Sequence, residues 1–129
     1  MINSVLIDTH VFIWLAEDDP NLPVTTRDTL ENMDNVFVSI ASFWEISIKL
    51  KIGKLSLCDD FNSIEASFRA TRFKLLPITL KDTIQLYNLP LHHKDPFDRI
   101  LVSQAINHSL ILVSRDQALD DYPVQRLWL

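Results

Sequence analysis

The chain has 129 residues, with 12 Lys and Arg against 17 Asp and Glu, so its formal charge is −5 with His neutral. It is 47% hydrophobic and 22% charged, with 1 Gly and 6 Pro. That composition supports a single packed domain over residues 1–129 and excludes disordered, collagen-like and low-complexity chains. The longest apolar run, Val11 to Ala16, falls far short of the ~20 residues that span a bilayer. No Lys or Arg precedes the first apolar run and Asp8 interrupts it, which predicts no secretory leader, no membrane association and a cytoplasmic location. Cys58 is the single cysteine, so an internal disulfide and a Cys-based zinc site are both excluded.

In chain order, Val5 to Ile7 reads as a short buried strand stopping at Asp8, and His10 to Glu17 as a helix ended near Asp18-Asp19-Pro20. Thr25 or Thr26 is expected to cap a second helix running through Met33. Val36 to Val38 is a second strand, followed by Ser39 and a strong helix from Ala41 to Ile52, with Gly53 at a left-handed C-terminal cap. Helical spacing recurs from Phe61 to Phe73, and Leu75-Leu76 reads as a strand. Leu80 to Tyr87 is a short helix and Pro96 to Asn107 a longer one. Leu110 to Val113 is a continuously apolar strand, and Val124 to Leu129 alternates weakly, as an edge would. Strands separated by helices predict a three-layer α/β/α sandwich around a mostly parallel sheet. In such sheets ligands sit beyond the carboxyl ends of the strands, near a topological switch point.

Four carboxylates stand where chemistry is expected. Asp8 ends the first strand, and Asp116 follows the last core strand in Ser114-Arg115-Asp116; ordinary turn capping explains each one singly. Glu45 falls within the apolar stripe Ala41, Trp44, Ile48, Ile52. A carboxylate there is costly unless paired or metal-bound, the alternative being a stripe-edge residue paired with Lys49 one turn on. Asp98 shares the spacing of Leu101, Val102 and Ala105, while Asp95 stands where an N-cap before Pro96 is wanted. Four such charges in one cleft require protonation or a cation. Their hard oxygens suit Mg²⁺ or Mn²⁺, the equipment for phosphodiester hydrolysis by an activated water. The four histidines, His10, His92, His93 and His108, lack zinc-site spacing and read as structural or surface groups.

With a charge of −5, a polyanion partner requires local basic patches or bound cations. Lys49, Lys51 and Lys54 form one candidate patch and Arg69, Arg72 and Lys74 another, although solvated helix faces explain both.

The stretches Leu6-Ile7-Asp8-Thr9-His10, Phe43-Trp44-Glu45-Ile46, Asp95-Pro96-Phe97-Asp98-Arg99-Ile100-Leu101 and Val113-Ser114-Arg115-Asp116 resemble the PIN-domain family, and more narrowly the VapC-type toxins of type II toxin–antitoxin systems. The resemblance covers nearly the whole chain. It implies a PIN-like fold and a Mg²⁺- or Mn²⁺-dependent endoribonuclease with the catalytic, metal-holding quartet Asp8, Glu45, Asp98 and Asp116. Thr9 and Ser114 are then groups that orient ligands or bind phosphate, and the implied partners are RNA, a cognate antitoxin and a second copy of the chain. Arg99 and Arg115 flank two of the acids and either hold phosphate or an antitoxin carboxylate, or pair with the quartet. Phe12, Trp14, Phe43 and Trp44 suit either a groove for a docked helix or ordinary core packing. Three rival readings are a catalytically silent PIN-like binding module, a nuclease acting on DNA, and a Mg²⁺-binding receiver domain. The last is disfavoured because Thr9-His10 follows Asp8 and no Lys ends the final core strand.

Overall fold

A computed structural model describes residues 4–128. Five strands, β1 (Ser4–Ile7), β2 (Asn35–Ser39), β3 (Lys74–Leu76), β4 (Ile111–Val113) and β5 (Arg126–Leu127), form one sheet in the order β3-β2-β1-β4-β5. Every pairing is parallel. The expected strands are present, with the edge strand confined to Arg126–Leu127; Leu129 lies outside the described residues.

Alternation along β1 divides the core between two layers, because successive side chains leave opposite faces of a strand. Val5 and Ile7 pack with Val11, Phe12 and Trp14 of α1 (Thr9–Ala16), Leu30 of α2 (Val24–Glu31) and Ile46 of α3 (Ile40–Lys51). Leu6 packs on the other face with Leu101, Val102 and Ala105 of α6 (Pro96–Asn107), over which α5 (Leu80–Asn88) lies. The result is the three-layer α/β/α sandwich, and no helix among the described residues is long and apolar enough to cross a membrane.

Two expected elements differ. Neither Thr25 nor Thr26 caps α2: its cap position is Pro23, with no side-chain hydrogen bond, and both threonines lie in the first turn. Proline restricts the residue before it and is itself pre-set for entry into a helix, so the helix starts directly behind it and ends at Glu31, short of Met33. Between Phe61 and Phe73 only a 3₁₀ turn, Phe61–Ser63, and α4 (Ile64–Arg69) are helical. The rest of that periodicity serves apolar contacts of Phe61, Ile64, Phe68 and Phe73 to the core.

Three helix ends are closed by backbone bonds that need one left-handed residue. After α3, Gly53 (φ 77°) donates to the Leu50 carbonyl and Lys54 to that of Lys49. Asp18 (φ 51°) and Ser109 (φ 54°) repeat this closure after α1 and α6 without a glycine.

Candidate active site

Strand order sets where the site opens. From β1 the chain crosses to β2 and then β3 on one side, while β4 and β5 lie on the other, so the direction of winding reverses between β1 and β4. A crevice therefore opens beyond their carboxyl ends. Ile7 is in register with both Val38 and Val113, which brings Asp8, Ser39 and Ser114 to one level along its lip.

Asp8 enters as the N-cap of α1, its Oδ1 accepting from the Val11 amide at 2.8 Å. It is 7% exposed, and burial pushes its carboxyl above the usual range despite the nearby Ser114 hydroxyl and the Val11 amide. Asp95 is the N-cap of α6, accepting from the Phe97 and Asp98 amides. That leaves the Asp98 carboxylate, one turn into the helix, facing the crevice. Burial, then the negative charge of Asp95, pushes Asp98 up to about 7, with Glu45 and Asp8 adding in the same direction and His93 opposing. Asp8, Asp98 and Asp116 line one cavity of about 320 Å³, shared with His10, Trp14 and Arg115.

Glu45 is buried at 3% exposure, but not for the expected reason. Of the stripe Ala41, Trp44, Ile48 and Ile52, only Ala41 is buried; Trp44 is 60% exposed and Ile48 and Ile52 also face outward. The inward face of α3 is Ala41, Ser42, Glu45 and Ile46, one residue out of phase. Glu45 is nevertheless paired as well as buried: Lys49 Nζ donates to its Oε2 at 2.6 Å, which raises the lysine's pKa, while Oε1 is buried with no hydrogen-bond partner. Asp95 and Asp98 act on the same ammonium in the same direction, so the Lys49 charge lies within the field of the acids.

His93, read from sequence as structural or surface, stands within the cluster. Its Nε2 lies 3.2 Å from both Asp98 Oδ2 and Asp116 Oδ2, and these three residues alone among those described bring potential metal-ligand atoms within 4.8 Å of one another. Its loop is anchored where the His93 amide donates to the Tyr122 hydroxyl. No metal-site spacing marked the histidine; the signal was its place in the loop directly before the Asp95-Pro96 helix start that presents Asp98.

The remaining expected groups divide. Thr9 is buried, its hydroxyl donating to Ser42 Oγ across α1 and α3, and buried Ser114 accepts from the Asp116 amide and sits by Asp8. Arg115 lies at the cavity with its guanidinium 4.7 Å from the centre of the Trp14 ring. Arg99 points away from the acids, donating to the Leu86 and Leu89 carbonyls at the end of α5. Lys49 and Lys54 border a neighbouring cavity that shares His10 and Trp14 with the acidic one. Arg69, Arg72 and Lys74 instead bond Glu65, Asp34 and Asn35 on the surface. The four aromatics separate: Phe12 and Phe43 pack edge-on and both meet Phe68, Trp14 meets Trp128, and Trp44 meets Phe97 outside.

The donor set fits a hard divalent cation. It offers several carboxylate oxygens around one cavity, and the unpartnered buried oxygen of Glu45 has no compensating hydrogen bond.

A family model for the PIN domain matches residues 5–125. Ribonuclease VapC22 of Mycobacterium tuberculosis is 27% identical over 124 residues, 90% of this chain and 89% of that protein. Among solved structures, VapBC2 from Rickettsia felis bound to a promoter DNA fragment superposes with a TM-score of 0.74 at 15% identity over 98% of both chains. A toxin–antitoxin complex from Klebsiella pneumoniae superposes with a TM-score of 0.67 at 18% identity over 97% of both chains.

Proposed function

Because the chain belongs to the PIN domain family, we propose that it is a metal-dependent endoribonuclease and the toxin of a type II toxin–antitoxin pair, working in the cytoplasm. The observation that carries this reading is the cavity lined by Asp8, Asp98 and Asp116 at the switch point of the sheet, with Glu45 buried beside it. RNA as substrate is supported by the relative named a ribonuclease.

Asp8, Asp98, Asp116 and the free oxygen of Glu45 are the groups that would hold Mg²⁺ or Mn²⁺. When bound, such a cation polarises the phosphodiester and lets a water ionise near neutral pH. The chain supplies the rest. Burial, joined by the field of the neighbouring carboxylates, pushes the Asp98 carboxyl up to about 7 in the cation-free chain. Arg115 faces solvent at the crevice and Lys54 at the neighbouring cavity, where they would meet phosphates flanking the cleaved bond. Thr9 ties α1 to α3 and so fixes Asp8 relative to Glu45.

Two partners follow. An apolar groove of about 490 Å³ lined by Phe12, Ile13, Ile46, Leu57, Ile64, Phe68 and Phe73 suits a helix of the antitoxin, in line with the toxin–antitoxin complex among the structural neighbours. The outward Trp44 and Ile48 of α3, with Ile52 directly after it, and separately Leu80, Ile84 and Tyr87 of α5, recur at helical spacing and are exposed apolar faces that suit a homodimer. Cleavage of a mixed RNA pool by purified protein tests the central reading. We expect cleavage with Mg²⁺ or Mn²⁺, none with chelator, and a loss of at least ~100-fold in Asp116→Asn; a folded, antitoxin-free chain inactive with every metal refutes it.

A further inference from the structure

We propose that His93 is a positioning residue that clamps Asp98 and Asp116 together. Bringing two carboxylates this close is unfavourable by itself, since like charges repel. His93 Nε2 lies 3.2 Å from an oxygen of each, so one N–H placed there is shared between the two acids. The other ring nitrogen decides where the proton resides. Nδ1 accepts from the Asp95 amide at 3.5 Å, and an accepting Nδ1 puts the hydrogen of a neutral imidazole on Nε2. The same contact argues against His93 as a metal ligand through Nε2, because that role places a hydrogen on Nδ1, opposite an N–H donor.

The clamp is held from several directions. Asp95 caps α6 with its side chain and orients the ring with its backbone, so the helix start that presents Asp98 also aims the histidine. The His93 amide bonds the Tyr122 hydroxyl, and the His92 ring packs against the Tyr122 ring, which fixes the loop to the segment following Asp116. His93 thereby couples two acids contributed by segments 18 residues apart (116 − 98) before any cation arrives.

This inference rests on the metal-centre reading above, and the experiment separates the two. The first readout, at pH 8 without metal, is the tautomer of His93 by ¹H–¹⁵N NMR: we expect hydrogen on Nε2, and hydrogen on Nδ1 overturns the clamp. The second is Mn²⁺ affinity by calorimetry for wild type, His93→Ala and His93→Gln, whose amide can still donate. We expect a 10- to 100-fold loss in the alanine variant, the usual size for a group supporting a ligand, and recovery of most of it in the glutamine variant. Wild-type affinity in the alanine variant, or glutamine no better than alanine, overturns the proposal. Pulsed EPR of Mn²⁺-loaded wild type is expected to show no ¹⁴N coupling; a coupling that disappears in His93→Gln makes His93 a ligand and likewise overturns it. If wild type takes up no Mn²⁺, the metal centre fails and the clamp with it, whereas uptake with an unaffected alanine variant removes the clamp alone.

Discussion

Replacing Asp98 by asparagine should stabilise the metal-free protein while abolishing its activity. An Asp carboxyl with an ordinary pKa of 3.8 when unfolded and about 7 when folded holds its proton more tightly in the folded state. Between those values the folded chain binds more protons than the unfolded one, so stability falls as pH rises through that window. At ~1.4 kcal/mol per pH unit, ionising Asp98 in place costs up to ~4 kcal/mol above pH 7. Its side chain is 25% exposed, and screening by that solvent reduces the cost to ~2 kcal/mol. The asparagine side chain keeps the shape without the charge. Urea denaturation followed by tryptophan fluorescence, with chelator present, should find the variant ~1 kcal/mol more stable than wild type at pH 5 and ~2 kcal/mol more stable at pH 8. Burial also raises the Asp8 carboxyl, with a slope of the same sign, and the difference between the two proteins removes all of it except the part set by the Asp98 charge. Saturating Mn²⁺ should reverse the order at pH 8, because the cation binds the folded wild type and not the variant. A variant equally or less stable at pH 8 refutes the idea that burying Asp98 among neighbouring carboxylates strains the crevice.

Asp82 is a buried acid of the opposite kind. Burial alone would raise its pKa, but hydrogen bonds from Asn107 and from the Thr79 amide, with the Thr79 hydroxyl and His108 nearby, lower it. Its contribution is therefore present above pH 4 and lost as pH falls below that; Asp82→Ala should cost ~2–3 kcal/mol in urea denaturation with Mn²⁺ binding unchanged. Ser109→Gly should stabilise by ~0.5–1 kcal/mol, read as a rise in the denaturation midpoint, because glycine relieves the left-handed backbone after α6. Ile48→Glu on the outward face of α3 should leave circular dichroism unchanged and shift sedimentation from dimer to monomer; a dimer that persists places the interface elsewhere.

Local chemistry was legible because it depends on neighbours in sequence. The apolar strands read over Val5 to Ile7 and Leu110 to Val113, the Asp95-Pro96 helix start and the glycine closure at Gly53 follow from backbone propensities and capping, which a few consecutive residues decide. The alternation of strands and helices likewise determined a parallel three-layer sandwich, and with it the end of the sheet at which acids would matter. Direction was not legible. The apolar stripe of α3 exists, but Trp44, Ile48 and Ile52 point out and Glu45 points in. A stripe shows only that a face seeks apolar contact, whether the core or a second chain provides it. Arg99 is adjacent to Asp98 in sequence and turned away from it in space, while His93 is five residues distant and in contact with it. The tertiary structure alone decided which charges meet, because side chains on a helix or loop diverge within a residue or two and only packing against the rest of the chain sets where they converge.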